Sequence, residues 1–398
     1  MPVTLIQLTD THIHDEANAC FKDTYPYQYL QRIIHQILFR HGQPDYVVVT
    51  GDLTHDGNEA SCQHLAQLLS AFDCPVYVTA GNHDETQTIH QHLLINNISM
   101  PDLVELNHWQ LLFADSHIEY ETGGEIADSI IDRFRLQLKQ NNKSALLFTH
   151  HPPISIDSEW MDKIGMKNGF DFLQSLIDFP QLKAVAFGHI HQQWHSSHQH
   201  IQLLGAPSTC VQFKPLSEDF AIDNNQPGYR VFSLGENGQF SSEVKRSAMH
   251  IQKIVSGGQT GVDRAALDIA IALAIPHGGW CPLGRRAEDG RLADIYQLTE
   301  TPGANYAQRT EWNVRDSDGT LILTCGQPTG GTALTCKLAQ DMNKPLYVAD
   351  LDQISDFKQL QQWLESASIT TLNIAGPRQS GMADVYDKAY NFLGQLLS

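Results

Sequence analysis

Basic residues are scarce in this sequence. Its 398 residues include 26 Lys and Arg against 45 Asp and Glu, which gives a formal net charge of −19 at pH 7. Surfaces that bind nucleic acid or anionic membranes are rich in Lys and Arg. The charge balance therefore argues against a nucleic-acid partner and against a membrane partner.

Long apolar runs, an export signal and paired cysteines are also lacking. The run that comes closest to a membrane span, residues 265–275, is interrupted by Asp268, whereas a span needs roughly 18 apolar residues. Residues 1–10 show no basic stretch before an apolar core, so we expect no signal peptide. The seven cysteines include no C-x-x-C pair, which favours reduced thiols in a cytosolic protein.

Length and histidine distribution together predict two domains. A chain of 398 residues exceeds one ordinary domain. Of its 20 histidines, 18 precede residue 247, and only His250 and His277 follow. Residues 229–246 have the pattern of a closing β-hairpin, and the next predicted strand starts near Ile251. We therefore predict one domain over residues 1–246 and another over residues 250–398.

Five short motifs of metal-ligand residues follow predicted strands in the first domain. Each comes after a β-branched or apolar run, which is typical of a buried strand. In open α/β sheets, ligands bind in the crevice beyond the carboxyl ends of the strands. The motifs are Asp10-Thr11-His12, Gly51-Asp52, Gly81-Asn82-His83-Asp84, His150-His151-Pro152-Pro153 and Gly188-His189-Ile190-His191.

Each motif alone is a weak signal, and the ordered set is a strong one. A lone Asp-x-His or His-x-His pair is functional in roughly one case in ten, and Gly-Asn-His-Asp could be only a turn. Residues two apart on a strand point the same way, so Asp10 and His12 can bind one ion together. Asp52 follows a glycine in a tight turn, which suits a carboxylate shared by two ions. The five motifs in order predict a two-metal phosphoester hydrolase.

With these motifs, residues 1–246 resemble the calcineurin-like metallophosphoesterases, whose series is D-x-H, G-D, G-N-H-D/E, H and G-H-x-H. The resemblance implies an α/β fold with a β-sandwich flanked by helices. It also implies a dinuclear metal centre, with His83 as a transition-state stabiliser or general acid and His151 in a supporting or packing role. The implied ligands are Asp10, His12, Asp52 and His191 for metal one, and Asp52, Asn82, His150 and His189 for metal two.

Within this family, residues 204–215 and 227–230, with 242–246, are similar to the bacterial class III 3',5'-cyclic-AMP phosphodiesterases. That resemblance implies hydrolysis of cyclic AMP to 5'-AMP by water activated between two divalent ions. Iron or manganese is the implied metal, with zinc as an option, because mixed His, Asp and Asn ligation suits these ions. A broader phosphodiesterase for other nucleotides or small phosphodiesters is the alternative. The implied nucleotide contacts are His12, Asp52, Asn82, His83 and His191.

Glycine-rich turns follow predicted strands in the second domain. Strand 251–255 leads through such a turn into an amphipathic helix over 262–275, and strand 320–323 leads into a second turn. These βαβ units predict a Rossmann-like, doubly wound parallel sheet. A loop that opens a helix exposes N–H groups to an anion, although such turns serve strand–helix packing about as often. The candidate cofactor-binding residues are Gly257, Gly258, Thr260, Gly261, Gly330, Gly331 and Thr332.

Longer strings in the second domain, at 257–264, 278–282, 284–290 and 309–318, resemble the molybdenum-carrier family. That family is similar to Rossmann-like nucleotide-binding proteins of the lysine-decarboxylase-like type. The resemblance implies that the second domain binds a nucleotide or a molybdenum-type cofactor. Because the linker between the two domains is short, we also expect the second domain to regulate the hydrolase. A ligand-sensing protein whose output runs through the second domain is a further alternative.

Overall fold

The computed structural model describes residues 2–247, 249–353 and 357–398. The chain divides into two compact units, Met1–Ser247 and Ala248–Ser398. Within the described ranges, no helix is both long enough and apolar enough to cross a membrane. The seven cysteines all lie in these ranges, and they are free thiols.

Two six-stranded sheets and their flanking helices build the first unit. Its strands are β1 (Val3–Leu8), β2 (Tyr46–Thr50), β3 (Val76–Thr79), β4 (Ile98–Ser99), β5 (Leu103–Glu105), β6 (Trp109–Ala114), β7 (Ser144–Thr149), β8 (Leu182–Phe187), β9 (Trp194–His198), β10 (Ile201–Gly205), β11 (Gln212–Phe213), β12 (Ile222–Asp223), β13 (Gly228–Leu234) and β14 (Phe240–Arg246). Its helices are α1 (Pro26–His41), α2 (Glu59–Leu69), α3 (Thr86–His92), α4 (Asp128–Gln140), α5 (Glu159–Asp162) and α6 (Gly169–Leu176).

The sheets have the strand orders β14-β13-β1-β2-β3-β4 and β5-β6-β7-β8-β10-β9. They pack face to face, because Leu5 and Phe232 of one sheet share a buried cluster with Phe113 and Phe148 of the other. The opposite face of the second sheet is buried in a separate cluster, to which helices α4 and α6 contribute. This is the predicted β-sandwich flanked by helices.

Both faces of the central strands are covered, which explains their apolar sequences. In β7, Leu146 and Phe148 belong to the cluster between the sheets. Their neighbours Ala145 and Leu147 belong to the cluster under the helices, because successive side chains of a strand alternate between its faces. The polar residues that follow these strands therefore lie just beyond a fully buried core.

The second unit has a parallel sheet at its centre. Its strands are β15 (Lys253–Val255), β16 (His277–Gly278), β17 (Trp280–Cys281), β18 (Arg286–Ala287), β19 (Gly290–Arg291), β20 (Thr299–Glu300), β21 (Gly319–Thr324), β22 (Leu346–Asp350) and β23 (Thr371–Ala375). Its helices are α7 (Val262–Ala272), α8 (Tyr306–Arg315), α9 (Gly330–Asp341), α10 (Lys358–Ser366) and α11 (Val385–Leu397), with a 3-10 turn at Gln379–Gly381. Helix α7 ends three residues before the predicted position, because Ala274 has a left-handed backbone and Pro276 follows it.

The order of the central sheet is β16-β15-β23-β21-β22, and all its pairings are parallel. Numbered along the chain, these five strands have the order 2-1-5-3-4. If the numbering instead starts at β21 and places β15 and β16 after β23, the order read from the opposite edge is 2-1-3-4-5, which is a common doubly wound order. The predicted doubly wound parallel sheet is therefore confirmed. The strand order reverses between β21 and β23, and the crevice beyond such a point is the usual ligand site of these sheets.

Candidate metal centre

Parallel strand pairing brings the five motifs of the first unit to one region. Strands β1, β2 and β3 are parallel neighbours, so the loops after them leave the same edge of the first sheet. Strands β7 and β8 are parallel neighbours in the second sheet. The loops are joined directly, since His12 donates its backbone N–H to the carbonyl of Asp52 at 3.0 Å and His189 donates its own to Asp10 Oδ1 at 3.0 Å.

Four buried donors form a first group. Asp10, His12, Asp52 and His191 each offer one atom, and these atoms lie within 4.8 Å of one another. His12 Nε2 and His191 Nε2 are 3.1 Å apart, and His191 Nε2 lies 3.4 Å from Asp10 Oδ1. This is the set predicted for metal one.

A second group surrounds His150 Nε2. Asn82 Oδ1 lies 3.2 Å from this nitrogen, His189 Nδ1 lies 3.2 Å from it, and Asp52 Oδ1 lies 3.4 Å from it. This is the set predicted for metal two. Asp52 reaches both groups, because its other oxygen, Oδ2, is 3.7 Å from His12 Nε2.

Backbone carbonyls orient two of the imidazoles. His150 Nδ1 is 2.9 Å from the carbonyl of Thr50, and His191 Nδ1 is 2.7 Å from the carbonyl of Val211. A carbonyl only accepts, so each Nδ1 carries the proton and donates it. Each Nε2 therefore keeps its lone pair for the donor group, as in metal-binding histidines.

His151 is buried beside His150 and His189, yet its two ring nitrogens have other partners. Its Nδ1 lies 2.9 Å from the hydroxyl of Ser116, and its Nε2 lies 3.2 Å from the carbonyl of Thr122. With Nε2–H donating to the carbonyl, Nδ1 accepts from the hydroxyl. This geometry agrees with the supporting role expected for His151 rather than with a ligand role.

Burial controls protonation at the centre. Burial lowers the pKa of His12 and of His189 well below the usual range, and the neighbouring imidazoles lower it further. Burial raises the pKa of Asp10, but His191 and His150 lower it by more, so that the net shift is downward. His12 and His189 are therefore neutral and Asp10 is ionised at neutral pH, which are the forms that bind metal ions.

Five of the seven predicted ligands have a left-handed backbone, which is uncommon for residues other than glycine. Such strain persists only where the surrounding structure enforces it, and it concentrates at functional sites. The residues are Asp10 (φ 51°), His12 (φ 45°), Asp52 (φ 45°), His189 (φ 65°) and His191 (φ 48°).

The glycine before Asp52 is required by close packing. Gly51 has a φ of 77°, and a Cβ atom there would lie 2.3 Å from Nδ1 of His150. Any side chain at this position would push the imidazole out of the second donor group. The Gly-Asp motif thus supplies Asp52 as a predicted ligand and also leaves space for His150, a predicted ligand that follows another strand.

Asp84 joins the loops after β2 and β3. Its carboxylate accepts from the backbone N–H of Leu53 at 3.0 Å, of Thr54 at 2.9 Å and of Gly81 at 2.9 Å. Burial, followed by the charge of Asp52, raises the pKa of Asp84 to about 6. The sequence showed only that Asp84 lies near the ligands, whereas the structure assigns it a specific positioning role.

His83 lies at the exposed side of the centre. Its backbone N–H donates to Asp52 Oδ1 at 3.0 Å, and its Nδ1 donates to the carbonyl of His55 at 3.1 Å. The His83 ring is 4.9 Å from that of His12. Nε2 of His83 is therefore left for a group that enters from solvent.

The two glycine loops of the second unit have different environments. A cavity of about 370 Å³ lies beyond the carboxyl ends of β21 and β23, and its wall includes Gly330, Gly331 and Thr332. A Cβ atom at either of these glycines would meet nothing within 4 Å. This part of the second loop is therefore open to a ligand.

The first loop is closely packed instead. A Cβ at Gly257 would lie 1.6 Å from the Arg309 guanidinium, one at Gly258 would lie 2.6 Å from Leu298, and one at Gly261 would lie 2.4 Å from the Pro377 carbonyl. The remaining candidate of this loop, Thr260, accepts from the backbone N–H of Gln379 at 3.1 Å and donates to Glu288. Within this loop, Gln259 lines the cavity.

Comparison with known proteins identifies both halves of the chain. Residues 3–193 match the calcineurin-like phosphoesterase family, and residues 254–397 match the circularly permutated YpsA SLOG family. The chain is 34% identical over 248 residues to the 3',5'-cyclic adenosine monophosphate phosphodiesterase CpdA of Vibrio vulnificus, which covers 62% of this chain and 90% of that protein. It is 31% identical over 245 residues to the CpdA of Pseudomonas aeruginosa, which covers 61% and 90%.

The chain is also similar to solved structures. A protein from Syntrophus aciditrophicus that is named as a molybdenum carrier is 50% identical, with a TM-score of 0.37, and the match covers 37% of this chain and 96% of that protein. Both resemblances expected from the sequence are confirmed as similarities. The chain belongs to the calcineurin-like phosphoesterase family, and it carries a circularly permutated YpsA SLOG domain after the phosphoesterase domain.

Proposed function

We propose that residues 1–246 form a 3',5'-cyclic-AMP phosphodiesterase domain that hydrolyses cyclic AMP to 5'-AMP at a dinuclear metal centre. The observation that carries this proposal is the position of Asp52, which presents one carboxylate oxygen to each of two donor groups. Cyclic AMP as the substrate is supported by the relatives, which are named as cyclic-AMP phosphodiesterases. Residues 250–398 are proposed to be a separate, Rossmann-like domain.

The donor sets suit two divalent ions of the iron or manganese type, with zinc as an option. Neutral imidazoles, carboxylates and one amide oxygen are typical ligands for these metals and less typical for calcium or magnesium. Two such ions would activate water as a nucleophile and offset negative charge on the phosphoryl oxygens. Asp10, His12 and His191 would hold the first ion, Asn82 and His150 with His189 the second, and Asp52 both.

His83 is proposed to act on the phosphate itself. Since Nδ1 donates to the His55 carbonyl, Nε2 is the atom left to face the substrate. In the protonated ring, Nε2 would donate to the 3' oxygen as that oxygen leaves, or to a phosphoryl oxygen in the transition state. The other proposed nucleotide contacts are His12, Asp52, Asn82 and His191, which belong to the two donor groups.

A substrate panel with metal analysis tests the proposal. The full-length protein would be assayed for bound metals and for hydrolysis of cyclic AMP, cyclic GMP, 2',3'-cyclic AMP and bis(p-nitrophenyl) phosphate. We expect about two ions per chain, 5'-AMP as the product and the highest kcat/KM for cyclic AMP. Similar kcat/KM values across the panel would favour the broader phosphodiesterase, and inactivity on every diester with both ions bound would reject phosphodiester hydrolysis.

We further propose that the second unit binds an anionic ligand, of the nucleotide or molybdenum-cofactor type, and regulates hydrolysis. The open backbone at Gly330 and Gly331, at the start of α9, supports an anion there, because the first N–H groups of a helix lack internal partners. Nucleotides and molybdate would each be tested for a thermal shift and for a change in cyclic-AMP hydrolysis. No shift and no change would reject both the binding and the sensor role.

A further inference from the structure

Aromatic side chains extend from the metal centre to the protein surface. The first is Phe213 of β11, whose ring stacks on that of His191 with centroids 3.9 Å apart and an interplanar angle of 10°. The Phe213 backbone N–H also donates to the carbonyl of His191 at 3.3 Å. Phe213 is therefore rigidly attached to a predicted metal ligand.

Two further rings continue from Phe213. Its ring centroid is 5.2 Å from that of Trp160 and 5.3 Å from that of Phe220, and these two are 5.2 Å apart. We call Trp160, Phe213 and Phe220 the aromatic rim. Trp160 and Phe213 pack against the core under the helices, whereas Phe220 is 47% exposed.

A second loop lies beside both the first donor group and the rim. Phe21 of this loop has its ring 5.5 Å from that of His12. The amine of the next residue, Lys22, lies 5.3 Å from the centroid of the Phe220 ring. The exposed ring of Phe220 thus lies between the loop beside His12 and the chain segment beside His191, at the border of the metal centre.

An exposed aromatic ring beside a phosphate site is suited to a nucleobase. Every base has a flat π-face that stacks on aromatic side chains, and this contact adds affinity without requiring hydrogen bonds to the base. The ring centroids of His191 and Phe213 are 3.9 Å apart, and those of Phe213 and Phe220 are 5.3 Å apart. The Phe220 ring is therefore within the span of one nucleotide whose phosphate lies at the donor groups. Packing against the buried core accounts for Phe213 and Trp160, whereas Phe220 keeps an exposed outer part.

We propose that the aromatic rim binds the base of the nucleotide substrate, with Phe220 as the residue that makes the stacking contact. The inference rests on the proposed function, and it adds the residue that favours nucleotides over phosphodiesters without a base. Phe220 contacts the base and takes no part in the reaction, so its replacement changes KM and not kcat.

The test compares Phe220→Leu, which keeps apolar bulk but removes the π-face, with Phe220→Trp, which keeps it. Phe170→Leu is the matched control, because Phe170 of helix α6 is another exposed phenylalanine, at 59%, and its ring contacts that of His198. Each variant of the full chain, loaded with metal, would be assayed with cyclic AMP and with ribose 3',5'-cyclic phosphate, which has no base.

We expect Phe220→Leu to raise the KM for cyclic AMP roughly tenfold relative to the KM for ribose cyclic phosphate, as the loss of one base stack predicts, with kcat unchanged. Phe220→Trp should stay within about twofold of the wild type, as should the control. An unchanged KM ratio in Phe220→Leu would overturn the rim proposal alone. A wild-type protein that hydrolyses ribose cyclic phosphate but not cyclic AMP would overturn the proposed function and the rim with it.

Discussion

The metal centre of the first unit and the cavity of the second both lie beyond the ends of parallel strands, but they use glycine differently. Gly51 leaves space for the ring of His150, which is a predicted metal ligand. Gly330 and Gly331 leave space that no side chain fills, whereas Gly257 and Gly258 are packed against Arg309 and leucine side chains.

A residue pattern can reveal some kinds of binding site and not others. Where side chains perform the chemistry, their types and order identify the site. Where backbone N–H groups would bind the ligand, the sequence does not distinguish a glycine that packs against a side chain from a glycine that leaves space for a ligand.

The largest effect is expected at Asp52. Asp52→Ala should remove the carboxylate that faces both donor groups and abolish hydrolysis, with a loss well beyond the 10- to 100-fold typical of residues that only support a ligand. Metal content per chain should fall as well. Asp56→Ala, an exposed carboxylate four residues away, is the matched control. Full activity in Asp52→Ala would contradict the assignment of the centre.

A large effect confined to catalysis is expected at His83. His83→Ala should lower kcat by about 10²- to 10⁴-fold, the usual contribution of a general acid, while the metal content stays at the wild-type value. His90→Ala, which removes an exposed histidine of helix α3, should leave kcat unchanged. Loss of metal from His83→Ala would instead identify His83 as a ligand.

A smaller effect is expected at Asp84, which positions the loops rather than touching the ions. Asp84→Ala leaves three buried backbone N–H groups without their acceptor, and each such group costs about 1–3 kcal/mol at most. Metal affinity should fall about 10- to 100-fold. Denaturant unfolding and metal titration would measure both, and wild-type values in both would refute the positioning role.

The smallest effects compare the two glycine loops directly. Gly258→Ala should destabilise the second unit by about 1–3 kcal/mol, because the φ of 73° and the nearby leucines oppose a Cβ. Gly331→Ala should change stability by less than about 0.5 kcal/mol, yet weaken ligand binding at the cavity. Thermal unfolding with and without ligand would separate the two, and equal destabilisation would remove the contrast.

Much of the first unit could be predicted from the sequence. Buried strands are apolar on both faces, so the runs before each motif located β1, β2, β3, β7 and β8. The two predicted ligand sets are also the two sets of atoms that converge in the structure. The assignment of these residues as ligands stays a prediction until metal binding is measured.

Other features had no pattern that could reveal them. Trp160, Phe213 and Phe220 come from a helix, a strand and a loop, and nothing in their spacing indicates that the three rings meet. Asp84 did have a signal, because it ends the Gly-Asn-His-Asp motif, but its acceptor role depends on the loop that carries Leu53 and Thr54.

The identity and order of the side chains were enough to predict a two-metal hydrolase followed by a parallel α/β domain, since ligand chemistry and strand periodicity are local properties. Only the tertiary structure distinguishes the surroundings of His150 from those of His151, because folding presents Ser116 and Thr122 to the His151 ring and the donor group to the His150 ring. It also distinguished the packed glycine loop from the open one. Both differences depend on which distant atoms fill the space beside a residue, and that is a property of packing.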